Sequence, residues 1–233
     1  MAKKRILLSV HLTDKEQIWG IFYLLFSIFL LPSLITMGIA YLPVSINSAW
    51  MNFIYFALNF LCIFCIFRGF FKRSLAYAGS HVGDFVLAVL LGFGGYWLCS
   101  WLLGLALTAL LPDFSNLNDS SIAAMAQGDF WIVAVSTVLL VPLAEEALHR
   151  GLIFGSLYQK SHLAAYLLSC AIFAAVHVMN YVGVYSLPHL LLAYAQYIPA
   201  GLMLAWAYRK SGSIFAPMLI HATINAISLF SLR

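Results

Sequence analysis

Apolar residues run along this chain in long stretches, and turn-forming or charged residues interrupt them at intervals. Seven such runs stand out: Ile18–Tyr41, Trp50–Phe71, Asp84–Leu111, Phe130–Tyr158, Leu163–Met179, Leu187–Tyr208 and Ile214–Leu232. An α-helix rises about 1.5 Å per residue, so about 20 apolar residues cross a hydrocarbon core about 30 Å thick. The breaks carry Pro, Gly, Asn, Ser and most of the charge. A membrane β-barrel would show short alternating segments, and stretches such as Phe85–Leu91 do not alternate. The pattern predicts an all-α, polytopic transmembrane helical bundle of about seven spans without a soluble domain. The longest polar connection, Asp113–Asp129, reads as an exposed loop on the outer side, with Asp129 placed to cap the fourth span.

Composition strengthens the membrane reading. Of 233 residues, 64% are apolar and only 9% charged, more apolar surface than a soluble domain of this length can hide. Basic residues retained on the cytoplasmic side then orient the bundle. Lys3, Lys4, Arg5, Lys15, Arg68, Lys72, Arg73, Arg150, Lys160, Arg209 and Lys210 all fall at or towards even-numbered connections, and the odd ones around 43–48, 112–127 and 180–186 hold no Lys or Arg. The N-terminus is therefore expected in the cytoplasm, with only Arg233 on the far side. A net charge of +4 reflects this topology, so no nucleic-acid partner is expected. After Lys3–Arg5 the apolar stretch Ile6–Val10 is too short for a signal peptide, and the first span is expected to be retained. Cys62, Cys65, Cys99 and Cys170 lie inside apolar runs and read as core packing, despite the Cys-x-x-Cys spacing of the first two.

The residues that carry chemistry are those least at home in a membrane. Glu145, Glu146, Arg150, His177, His221 and Asn225 sit within apolar spans, where a charge near the bilayer centre costs about 2.5–3.5 kcal/mol on insertion scales. Glu146 and Arg150 are four apart on one helix face, a spacing at which an ion pair neutralises both. Glu145 is rotated by about 100° and is left to meet a different partner. Pro142, one turn earlier, removes a backbone donor and loosens the helix. Phe173/His177 and His221/Asn225 are likewise pairs four apart. Counted inward from the cytoplasmic ends, Glu145, His177, His221 and Asn225 lie roughly 10–22 Å deep, so one converged site accounts for them better than scattered polar residues. His162, His189 and Gln196 lie nearer span ends or lack a partner at matching spacing, and structural or interfacial roles are expected for them.

Two carboxylates, two imidazoles and an amide in a water-poor pocket supply a base to activate water, a polariser for a carbonyl and a donor for an oxyanion, the requirements of amide hydrolysis. No Ser or Cys occupies a recognisable nucleophile motif, which favours attack by water over a covalent intermediate. Three features in order, Glu145-Glu146-x-x-x-Arg150, Phe173-x-x-x-His177 and His221-x-x-x-Asn225, together with the Gly201–Pro217 segment leading into His221, resemble the CPBP family of intramembrane endopeptidases. That family includes the CAAX prenyl endopeptidases and the bacteriocin-processing and self-immunity proteins of Abi type. The resemblance covers about 130–230 and departs from the family at His149, where an aromatic Phe or Tyr is usual.

The resemblance implies that Glu145 activates the attacking water beside His177, that Glu146 and Arg150 organise the pocket, and that His221 and Asn225 hold the scissile carbonyl or its oxyanion. It divides the chain into a basic N-terminus (1–17), three membrane helices with an outer loop (18–128) and a catalytic core (129–233). A peptide or lipidated peptide is the expected substrate, the bilayer the expected surroundings, and a bacterial inner membrane the expected location. The glutamic reading requires no cofactor; the alternative is a catalytic zinc held by Glu146, His177 and His221. Competing functions are a non-catalytic scaffold, a self-immunity protein or an ion-coupled transporter using the same polar cluster, although no internal repeat supports a transporter.

Overall fold

The computed structural model describes residues 8–41, 43, 45–110 and 116–231. Lys3, Lys4, Arg5 and Arg233, used above for orientation, lie outside them. The described residues are helical almost throughout, with one isolated bridge between Val182 and Tyr185. The helices are α1 (Asp14–Phe29), α2 (Leu31–Ala40), α3 (Ser48–Ser80), α4 (Val82–Leu110), α5 (Leu117–Tyr158), α6 (His162–Val178), α7 (Leu187–Gln196), α8 (Ile198–Ser211) and α9 (Phe215–Ser231).

Five stretches, Ser48–Ser80, Val82–Ala109, Leu117–Tyr158, His162–Tyr181 and Leu187–Ser211, are long and apolar enough to cross a membrane, and α1 with α2 makes a sixth if that bent pair is one span. α9, with 17 residues, is shorter. Each apolar run in the sequence thus corresponds to helix, but the boundaries differ in instructive ways. The first run is broken at Leu30 and bends by 50°, because Pro32 cannot supply the amide that would continue α1 and instead starts α2. α3 continues past Phe71 to Ser80, so Lys72 and Arg73 lie on a helix rather than in a connection. The polar stretch expected as a loop is corrected from Asn116 onward. Asn116 accepts hydrogen bonds from the amides of Asn118 and Asp119, and the helix starts there. Asp129 does not cap the span but sits at a kink within α5 (φ −141°, ψ 67°), where its carboxylate accepts from the Asn47 side chain. Residues 113–115 of that stretch lie outside the described residues.

Outward faces carry large apolar side chains such as Phe22, Leu90, Trp101 and Leu163, all more than half exposed, as expected of helices facing lipid. Cys65 is also exposed, on an outer face rather than in the expected core packing. One large core joins Phe67 and Phe70 of α3, Phe154 of α5, Tyr208 of α8 and Ile214. The N-terminal stretch is part of it: Leu8 and Leu12 are buried, and the Tyr208 hydroxyl donates to the Val10 carbonyl at 2.7 Å.

The turn between α8 and α9 sets the position of His221. Gly212 adopts the left-handed conformation (φ 66°) and its amide closes α8 on Tyr208; a Cβ there would also lie 2.5 Å from the Tyr77 ring. Ser213 then donates to the Ser74 carbonyl, and Ile214 is fully buried. The Gly-Ser-Ile sequence therefore fixes where α9 starts, and with it the height of His221 and Asn225.

Candidate active site

Three helices bring the six polar residues together. Glu145, Glu146 and Arg150 lie on α5, between and within two π-helical stretches, Val135–Leu140 and Ala147–Phe154. The wider turn re-aims side chains relative to an ordinary helix and recurs at functional sites. The first stretch ends where Pro142 enters the helix, as the missing donor allows.

The two adjacent carboxylates face different surroundings. Glu146 is fully buried, and one of its oxygens, Oε1, accepts from Arg150 Nη1 at 2.9 Å and from His221 Nδ1 at 2.8 Å. Arg150 is equally buried; its Nη2 donates to the Ala200 and Gly201 carbonyls at 3.5 and 3.4 Å, and its Cζ lies 4.1 Å from the centre of the Phe173 ring. Gly201 also lets α8 lie close against α6, since a Cβ there would come within 3.2 Å of the Cys170 Cα. Pairing, several hydrogen bonds and an aromatic face offset part of the desolvation of both charges, while Glu146 Oε2 and Arg150 Nε are buried without a hydrogen bond.

Glu145, by contrast, lines a cavity of about 680 Å³ together with His149, His177, His221 and Asn225; Glu146 and Arg150 lie behind its wall. Glu145 Oε2 makes no hydrogen bond and stands 3.7 Å from His177 Nε2. The His177 ring is fixed from two sides: Nδ1 donates to the Phe173 carbonyl at 2.7 Å, and Tyr197 stacks on it with 4.3 Å between ring centres. A carbonyl can only accept, so the Nδ1 proton leaves Nε2 of the neutral ring as an acceptor facing the carboxylate. Asn225 donates one amide hydrogen to the Thr137 carbonyl at 2.9 Å, which ties α9 to the first π-helical stretch.

His149, the departure from the family pattern noted in the sequence, packs as an aromatic ring. Its ring packs edge-on against Phe173 at 5.3 Å, while Nδ1 donates to the Glu145 carbonyl one turn back. Of the polar residues set aside in the sequence, His162 stacks on Tyr158 and His189 on Tyr185, but Gln196 lines the cavity. Sequence reasoning also passed over Tyr197, Asn116 and Asp119, which line it too. Only the polar cluster around Asn116 signalled them, and it resembled a loop.

The residues do not form the alternative zinc set. Glu146 Oε1 and His221 Nδ1 are bonded to each other, His177 faces Glu145 instead, and no three His, Cys, Asp or Glu side chains among the described residues converge as metal ligands.

Fold and site together define an integral membrane protein with a buried ion pair supporting a carboxylate and imidazoles that open on a cavity within the bundle. In comparison with known proteins, residues 127–227 match the model of the type II CAAX prenyl endopeptidase Rce1-like family, which bears out the resemblance read from the motifs. Over 87 residues the chain is 33% identical to UPF0177 protein YxdF of Lactococcus lactis subsp. lactis (strain IL1403), covering 37% of this chain and 42% of that one. Over 109 residues it is 32% identical to a Bacillus subtilis (strain 168) protein named putative membrane peptidase YdiL, covering 46% of this chain and 40% of that one. The matches thus span about two fifths of each relative's length. No solved structure matches.

Proposed function

We propose that this chain is an intramembrane endopeptidase that cleaves a peptide bond with a water molecule activated by Glu145. The observation that carries the reading is the pairing of Glu145 Oε2, buried at the cavity wall without a hydrogen bond, with the acceptor nitrogen of His177 at 3.7 Å. Two acceptors at that spacing can each take one hydrogen of the same water, which turns its lone pair towards a carbonyl carbon. Glu145 then removes the proton as the C–O bond forms, and returns it to the departing amine as the C–N bond breaks.

His221 and Asn225 serve the oxyanion in this scheme. With Nδ1 committed to Glu146, His221 turns Nε2 to the cavity, and the buried carboxylate behind the ring complements a cationic imidazole in front of a developing negative charge. Asn225 keeps a second amide hydrogen beyond the one given to Thr137. Arg150 and Glu146 hold this geometry from behind the wall.

Substrates of the proposed reaction are peptides that reach the bundle from the bilayer: a membrane-associated segment, a leader-type peptide or a C-terminal peptide carrying a prenyl group. The cavity wall contributed by Leu24, Ile28, Ile35 and Phe56 offers apolar surface for such a chain. The bacterial relatives support a bacterial plasma membrane as the location.

The test is cleavage of a pooled library of prenylated and plain peptides by the purified, detergent-solubilised protein, with Glu145→Gln and His221→Ala in parallel. Cleavage by the wild type that both substitutions abolish is the expected result. Turnover that survives both would point to a contaminating peptidase and remove Glu145 as the base, and no turnover of any peptide by a monodisperse protein would replace the peptidase with a binding or immunity function of the same cavity.

A further inference from the structure

Phe173 meets both halves of the proposed site, one through its backbone and the other through its ring. The carbonyl accepts from His177 Nδ1 at 2.7 Å, which leaves Nε2 facing Glu145. The ring is only 2% exposed and has the Arg150 guanidinium over it, 4.1 Å from its centre. Arg150 in turn shares Glu146 Oε1 with His221. The imidazole centres of His177 and His221 lie 4.5 and 6.1 Å from the centre of the Phe173 ring, so one ring packs against the imidazole beside the base and the imidazole assigned to the oxyanion.

Any residue four positions before His177 would offer a carbonyl, but only an aromatic one offers a π face. Arg150 has use for it. Its contacts with the Ala200 and Gly201 carbonyls are long, at 3.5 and 3.4 Å, and its Nε is buried without a hydrogen bond. Its short bond, at 2.9 Å, goes to Glu146 Oε1. A desolvated cation gains more from an aromatic face than an exposed one, because water does not compete for the charge. A guanidinium that the ring holds less firmly can shift along the Glu146 carboxylate, and the oxygen it would disturb is the one that fixes His221.

We infer that Phe173 is a positioning residue of the site: its ring face holds the Arg150 cation and, through the shared Glu146 oxygen, sets His221, while its carbonyl sets His177. The inference rests on the peptide-cleaving reading and gives the aromatic residue of the Phe173-x-x-x-His177 spacing a physical reason. An oxyanion forms only on the way to the products, so a misplaced His221 lowers kcat and leaves KM little changed.

The experiment places mono-, di- and trifluorinated phenylalanine at position 173 of the full chain in detergent. Each fluorine draws charge from the ring face and leaves its shape nearly unchanged, so the packing stays while the hold on the cation weakens in steps. The same series at Phe67, fully buried among apolar neighbours, is the control. kcat and KM for one cleaved peptide are normalised to folded protein, and thermal unfolding midpoints of the position 173 series are measured with Arg150 and with Arg150→Gln. The expected result is a stepwise fall in kcat that reaches about tenfold with three fluorines, with KM little changed and no fall at position 67. Fluorine at 173 should also lower the midpoint, an effect that Arg150→Gln abolishes. The kcat comparison decides by itself should Arg150→Gln not fold. A level kcat across the series, or a fall matched at position 67, overturns the inference and leaves the peptidase intact. A midpoint lowered equally with and without Arg150 means that fluorine acts through packing, and overturns it as well. No turnover by the wild type removes the peptidase, and with it the positioning role, even where the midpoint depends on Arg150.

Discussion

His177 Nε2 stands 3.7 Å from Glu145 Oε2, too far for a direct hydrogen bond and close enough for one water to bridge them. Neighbouring Glu146 has no such freedom, because Arg150 and His221 both bond its Oε1. Two carboxylates adjacent in sequence therefore differ in what they can do: one is available to a substrate, the other is a fixed support.

Glu145→Gln keeps the size and polarity of the side chain but removes the base. Loss of kcat by at least about 100-fold is expected, the lower range for a general base, with KM little changed. Glu145→Asp, which retains a carboxylate but withdraws it by one methylene, should recover part of that loss. Steady-state cleavage of one identified peptide by the three proteins measures this, and equal activity of the Gln and Asp forms would show that the carboxylate is not the base.

Glu146 and Arg150 should show themselves in stability. Removing either partner leaves the other buried and unpaired, a change that costs about 3–5 kcal/mol for buried pairs in soluble proteins. Glu146→Gln and Arg150→Gln are each expected to lower the thermal unfolding midpoint in detergent, and the double variant to lose clearly less than the sum of the two. Additive losses would mean that the 2.9 Å pair is not what holds this region.

The site was legible in the sequence because its members are charged or polar residues in apolar runs, and a helical spacing of four is enough by itself to make Glu146 and Arg150 partners. Spacing does not contain the exchange by which His221 joins Glu146 while His177 faces Glu145; that depends on how α6 and α9 rotate against α5. The outer part of the cavity was hidden for a different reason. Asn116, Asn118 and Asp119 form a polar cluster that resembles an exposed loop, and only the cap at Asn116 turns it into the start of α5 above the cavity. Likewise, Pro32 and Pro199 mark breaks that an apolar average passes over.

Metal dependence follows from the donor set. With Glu146 and His221 bonded to one another and His177 directed at Glu145, cleavage is expected to persist after extensive treatment with EDTA and 1,10-phenanthroline. Metal analysis of the purified protein should be run beside the assay. Activity lost on chelation and restored by stoichiometric zinc would require His177 and His221 to rearrange around an ion and would overturn the glutamate-water scheme.

Tyr197 connects the two ends of the cavity, with its ring on His177 and its hydroxyl on Asn116. If the stack positions the imidazole, Tyr197→Phe should keep most of the turnover, since it retains the ring and loses only one hydrogen bond. Tyr197→Leu removes the stack, worth about 0.5–1.5 kcal/mol for an aromatic pair, and is expected to lower kcat by up to about tenfold. A purely structural role would lower thermal stability in proportion and leave kcat per folded molecule unchanged. The decisive comparison is therefore kcat, normalised to folded protein, for wild type, Tyr197→Phe and Tyr197→Leu. A fall confined to the Leu form assigns the stacked ring to holding Nε2 towards Glu145, and equal values for all three show that the Phe173 carbonyl alone orients His177.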